Sequence, residues 1–238
     1  MVATSIRVLT YNLCNEHEGD RAFARRFDAI CAAILDAAPD VVCLQEVPDT
    51  NTVVELAGLL VERQRRAMFM ALTKLERANG WVEYLAIIHP GTRRTASRYA
   101  APGGERIALS VTLSSAPLTV MSAHLDPHAS AARRVEAEGL LSALPGEGAA
   151  VICGGFNADD DGGLPAPFRD RLATLAPEPA GPSTFPTGLR AEEGAPGMRD
   201  YIIGTGVKTI ASGLIGLEPI GGVVPSDHAG VWADIELA

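Results

Sequence analysis

The sequence is short of positive charge. It carries 20 Lys and Arg against 29 Asp and Glu, a net charge of −9, and its isoelectric point is about 5.0. Binding along a nucleic-acid backbone runs on Lys and Arg, so a broad, non-specific grip on duplex nucleic acid is disfavoured. The basic pairs Arg25-Arg26, Arg65-Arg66, Arg93-Arg94 and Arg133-Arg134 read as solvated faces. Cysteine is scarce. Cys14, Cys31, Cys43 and Cys153 form no CxxC pair, so buried thiols in a reducing compartment are expected. No apolar segment is long enough to span a membrane, and the chain opens almost directly into a strand. A soluble, cytoplasmic protein is the expectation. Aromatic residues make up only 5% of a chain that is 47% hydrophobic, which suits a compact α/β protein. With no linker-like stretch and no repeat of solenoid period, residues 1–238 read as a single domain.

Hydrophobic periodicity places the elements. Ser5–Tyr11 alternates and ends at Asn12. Arg21–Ala38 has helical spacing of Phe23, Phe27, Ile30, Ile34 and Leu35, and Pro39 stops it. Val41–Leu44 is a buried strand emerging at Gln45-Glu46, and Thr52–Arg65 is a second amphipathic helix. Met68–Leu72, Val82–Ile88, Ser97–Ala101, Arg106–Leu113 and Leu118–His124 then follow as closely spaced strands, which favours antiparallel pairing. Asp126-Pro127 reads as the start of a helix running to about Leu144, with Val135, Leu140, Leu141 and Leu144 inward. Ala149–Cys153 is a buried strand broken by Gly154-Gly155; Pro165–Leu175 reads as a short helix. Pro177–Gly197 is a long loop, of a length usually tied to function, and is expected to cover the pocket. Met198–Ile203, Val207–Ala211 and Val231–Glu236 complete the strands. So many apolar strands between helices predict two packed sheets with helices outside.

Polar residues recur where these strands end: Asn12, Glu46, His124, Asn157, Asp200, Asp227 and His228. Strands finishing at one edge would gather them. Carboxylates with a carboxamide are hard oxygen donors suited to Mg²⁺ or Mn²⁺. Two histidines with a further carboxylate can orient a phosphate and handle protons.

These residues stand in recognisable motifs. Val8–Asn12, Pro39–Glu46 (PDVVCLQE), Ala123-His124-Leu125, Arg133 with Glu136, Asp200–Ile203 (DYII) and Ser226-Asp227-His228 occur in order along nearly the whole chain. In this the sequence resembles the endonuclease/exonuclease/phosphatase superfamily, the deoxyribonuclease-I-like group. The resemblance implies a four-layer α/β/β/α sandwich of two mixed, mainly antiparallel sheets flanked by helices. It also implies divalent-metal-dependent phosphoester hydrolysis. Glu46 would hold the metal, with Asp227 and Asn12 close by. His228 would contact the scissile phosphate, steadied by Asp200, and His124 and Asn157 would bind phosphate oxygens.

One motif departs. The family reads Gly-Asp-Phe-Asn where this chain reads Gly154-Gly155-Phe156-Asn157. The missing Asp is the residue expected to orient and deprotonate the attacking water, and losing a positioned base costs about 10²–10⁴-fold in rate. Three accounts follow. Hydrolysis persists in weakened form, with Asp159, Asp160 or Asp161 swinging in; the pocket is diverted to other chemistry on, or binding of, a small metabolite; or Gly155 is an inactivating replacement introduced in the laboratory. A small soluble phosphoester or metabolite is the expected partner.

Overall fold

The structure is a computed structural model that describes residues 5–15, 22–76, 80–91, 97–100, 106–157, 163–177, 183–185, 187–190 and 196–238. Its two six-stranded sheets lie face to face. One is built from β1 (Ile6–Asn12), β2 (Val41–Val47), β3 (Met68–Glu76), β4 (Val82–Pro90), β11 (Val207–Ile215) and β12 (Gly230–Leu237), in the order β11-β12-β1-β2-β4-β3. The other holds β5 (Ser97–Ala100), β6 (Ile107–Thr112), β7 (Leu118–His124), β8 (Ala149–Gly155), β9 (Ala173–Ala176) and β10 (Asp200–Thr205), in the order β5-β6-β7-β8-β10-β9.

Helices α1 (Phe23–Ala37) and α2 (Thr50–Gln64) pack on the outside of the first sheet through Ile30, Ile34, Val53, Leu56 and Leu60. Helices α3 (Ser130–Ala143) and α4 (Ala166–Arg171) cover the second through Leu140 and Phe168. Between the sheets, Val8, Val41, Cys43 and Ile87 meet Leu109, Val120, Val151, Cys153 and Ile202. The fold is the expected four-layer sandwich. All four cysteines are buried and unbridged. Among the described residues no helix is long and apolar enough to cross a membrane.

Two pairings are parallel, β1 with β2 and β7 with β8; the other described pairings are antiparallel. Parallel neighbours need a crossover, which α1 and α3 supply. Each sheet therefore holds one strand–helix–strand unit, and both members of each pair carry a residue of the expected site at or next to their ends.

Several sequence expectations are corrected. Gly154-Gly155 does not break β8, which runs through Gly155. Gly154 has φ 147°, and a Cβ there would fall 1.8 Å from the Ala123 carbonyl oxygen, so glycine lets the strand continue against β7. Asp126-Pro127 does not start α3. Asp126 Oδ1 accepts the amides of His128 and Ala129 in a turn, and the helix begins at Ser130. Val135 faces solvent. The stretch read as a helix over Pro165–Leu175 is helical only at Ala166–Arg171; Ala173–Ala176 pairs with β10 as an edge strand. Gln45 does not emerge. It is fully buried, and its amide donates to Thr10 Oγ1 at 3.1 Å and, across the gap between the sheets, to Ser122 Oγ at 3.1 Å.

Candidate active site

The strand ends converge at one edge of the sandwich. β2 carries a bulge between Leu44 and Val47, where its register with β4 shifts. Inside it Glu46 adopts φ 50°, a left-handed conformation that costs energy for a residue with a Cβ. The bulge turns its carboxylate toward the end of β1. There Asn12 Nδ2 donates to Glu46 Oε1 at 3.0 Å, while Asn12 Oδ1 accepts the Cys14 amide at 2.9 Å. On the second sheet, His124 Nδ1 lies 4.0 Å from the same Glu46 oxygen.

Register places the remaining residues. Gly155 of β8 stands directly between His124 of β7 and Asp200 of β10. A Cβ on Gly155 would meet His124 Cδ2 at 3.0 Å, His124 Nε2 at 3.4 Å and Asp200 Oδ1 at 3.5 Å. His228 Nδ1 donates to Asp200 Oδ2 at 2.7 Å. Asp200 Oδ1, also buried, makes no hydrogen bond among the described residues. Asn157 follows β8 in a left-handed turn at φ 54°, and its Nδ2 donates to the Leu125 carbonyl at 3.0 Å. Ser226 Oγ donates to the Asn12 carbonyl at 2.8 Å, drawing Asp227 and His228 to the end of β1. One chain of contacts thus runs Asn12–Glu46–His124–Gly155–Asp200–His228, with Asn157 and Asp227 at its sides. Asp159, Asp160 and Asp161 lie outside the described residues, as does part of Pro177–Gly197.

Residues 9–228 match the Endonuclease/Exonuclease/phosphatase family. The chain belongs to that family. Its fold is similar to a functionally unknown conserved protein from Enterococcus faecalis V583, with 21% identity over 98% of this chain and 100% of that one and a TM-score of 0.74. An endonuclease/exonuclease/phosphatase family protein from Bacteroides thetaiotaomicron aligns over 99% of this chain and 98% of its own, at 15% identity and TM-score 0.77. The human nocturnin catalytic domain, solved with a bound sulfate anion, aligns over 98% and 94% at 16% identity and TM-score 0.71. Comparison with curated protein sequences finds no match.

Four charged residues of this family member are buried against the sequence reading. Glu83 is buried on β4, bonded to buried Arg106 at 3.3 Å; its carboxylate lies in a group with Glu46 and His124 whose ligand atoms all fall within 4.8 Å of one another. The signal was an acid and an arginine flanking apolar strand runs. The third is Arg26, read as part of a solvated pair but fully buried. Its guanidinium donates to the carbonyls of Leu13 at 3.0 Å, Pro225 at 2.6 Å and Cys14. Those carbonyls follow Asn12 and precede Ser226-Asp227-His228. Arg133 is likewise buried, donating to the Asp126 carbonyl at 3.0 Å.

The electrostatics are those of crowded carboxylates. Burial raises the pKa of Glu46 above its ordinary value, and neighbouring Glu83 and Asp227 push it the same way, against the Asn12 hydrogen bond. For His228, burial disfavours the imidazolium, but the Asp200 carboxylate outweighs it with help from Asp227 and Glu46, and the pKa rises from 6.5 to about 9. A histidine whose folded pKa lies above its unfolded one stabilises the fold fully below pH 6.5 and loses that contribution as pH rises through about 9. The metal-free protein is therefore expected to lose melting temperature between those limits. His228→Asn should flatten that part of the profile. A flat wild-type profile would refute the pairing.

Proposed function

We propose that this protein is a divalent-metal-dependent phosphoester hydrolase acting on a small soluble phosphoester, slowed by the lack of a carboxylate at Gly155. The observation that carries this reading is the line of contacts from Asn12 to His228, with Gly155 at its centre. The donor set fits a hard cation. Glu46 and Asp227 supply carboxylate oxygens, Glu83 crowds in from the neighbouring strand and His124 from the facing sheet, and the raised pKa of Glu46 among these groups is relieved by a positive ion. Asn12 spends its amide on Glu46 and its oxygen on Cys14, so it acts as a brace for the ligand. A bound Mg²⁺ or Mn²⁺ would supply Lewis-acid polarisation of the phosphoryl group.

The chain's own groups do the rest. His228, protonated at neutral pH and fixed by Asp200, presents an imidazolium to a phosphate oxygen. His124 and Asn157 line the other side of the same mouth. No carboxylate stands at position 155 to take a proton from water, which favours a second reading: the site binds its phosphoester without efficient turnover.

Titration with Mg²⁺ and Mn²⁺ tests both readings at the root. The ions should raise the wild-type melting temperature, and Glu46→Gln should weaken apparent affinity by about tenfold or more. Turnover of bis(4-nitrophenyl) phosphate, or its absence, then separates hydrolysis from binding. A protein whose melting is indifferent to both ions overturns the metal site.

A further inference from the structure

Arg199 immediately precedes Asp200, and its backbone is held on several sides. Its carbonyl accepts the amides of Phe156 at 2.7 Å and Asn157 at 3.2 Å, and its own amide donates to Thr184 Oγ1 at 2.8 Å. Its side chain leaves this framework half-buried. The guanidinium carbon lies 3.8 Å over the centroid of the Phe185 ring. The same buried ring packs 4.8 Å from the His228 imidazole at an interplanar angle of 49°. Arg199 is thus one aromatic ring away from the histidine at the centre of the proposed phosphate site.

Among the described residues the guanidinium makes no hydrogen bond and no ion pair. Burial lowers its pKa, while the nearby carboxylates of Asp200 and Asp227 oppose that effect. A half-buried cation whose N–H groups meet no acceptor among the described residues has room for one from a ligand. Stacking on Phe185 occupies the guanidinium face and leaves its edge, the hydrogen-bonding fork, available. That fork matches a phosphate or phosphonate bidentately. On a chain of net charge −9, such a cation beside the site is a selective feature.

We propose that Arg199, seated on Phe185, forms a subsite for a second anionic group of the substrate. The substrate class is then a small phosphoester bearing two phosphate-like groups, the reacting one at His228 and the other at Arg199. This rests on the phosphoester reading above and narrows it.

The test is calorimetric binding of two non-hydrolysable probes, methylphosphonate and methylenebisphosphonate, with Mg²⁺ in excess of either. Wild type should bind the bisphosphonate at least about tenfold more tightly, the worth of a charge-assisted hydrogen bond. Arg199→Gln should erase that preference and leave methylphosphonate affinity unchanged; Arg199→Lys should restore part of it. Equal binding of the two probes by wild type overturns the subsite. So does Arg199→Gln weakening both probes alike, the mark of an arginine that merely props Phe185 and His228. Failure of wild type to bind either probe overturns the phosphoester site itself, and the subsite with it.

Discussion

Gly155→Asp is expected to raise metal-dependent turnover of a phosphodiester by about 10²-fold, the lower end of what a positioned general base contributes. The geometry is specific. Position 155 lies in register with His124 on one side and Asp200 on the other, so a carboxylate there enters the line of site residues and no other part of the fold. Asp200 Oδ1, 3.5 Å from the new Cβ, is a like charge that raises the pKa of the added acid and makes it a better base. The steric cost is real. His124 Cδ2 lies 3.0 Å from that Cβ and must yield by a few tenths of an ångström, which should cost about 1–3 kcal/mol of stability. Gly155→Ala carries the same Cβ, and so the same contact with His124, without the base and is the control; its turnover should equal or fall below wild type. A folded Gly155→Asp protein no faster than wild type would favour the binding reading.

Arg26→Met is expected to destabilise the protein by about 3–5 kcal/mol, the usual cost of breaking a buried charged hydrogen-bonding group. That is a large share of the stability of an ordinary domain. Methionine fills much of the volume but leaves the carbonyls of Leu13, Cys14 and Pro225 without their shared donor. Arg26→Lys should recover only part, because an ammonium cannot spread across three carbonyls as a planar guanidinium does. Urea denaturation gives the numbers. A loss under about 1 kcal/mol for Arg26→Met would show that water replaces the guanidinium. Where the variants remain folded, Mg²⁺ affinity should fall too, since the segments next to Asn12 and Asp227 are tied through this side chain.

The elements legible in the sequence are those whose residues behave as their types usually do. Leu118–His124 is a strand-like apolar run set off by Pro117, and it forms β7 over that same span. The apolar run Val41–Leu44 lies within β2, and the spacing of Ile30 and Ile34 does mark the buried face of α1. What escaped were residues acting against type. Arg26, Arg133, Glu83 and Arg106 carry charges into the interior because each finds a carbonyl or an opposite charge there, and such partners are set by contacts distant in sequence. Asp126-Pro127 carries the chemistry of a helix cap but spends it on a turn, and only the path of the following backbone decides between the two. The edge strand Ala173–Ala176 has no pattern of its own; β10 recruits it. The recurrence of polar residues at strand ends pointed to a meeting at one edge, though not to the route by which they meet. Their meeting depended on the two crossovers and on the bulge at Glu46, which no local spacing encodes.

The division of labour between the two sheets has a consequence for how the protein fails. Asn12 and Glu46 belong to one layer, His124 and Asp200 to the other, and Gln45 to Ser122 is a polar stitch between them just below. Neither layer owns a complete constellation. Affinity at the proposed site should therefore gauge how closely the layers are seated, and a partly unfolded form that keeps all its strands but lets the layers slide is expected to lose ion and anion binding there while its far-ultraviolet spectrum still looks native.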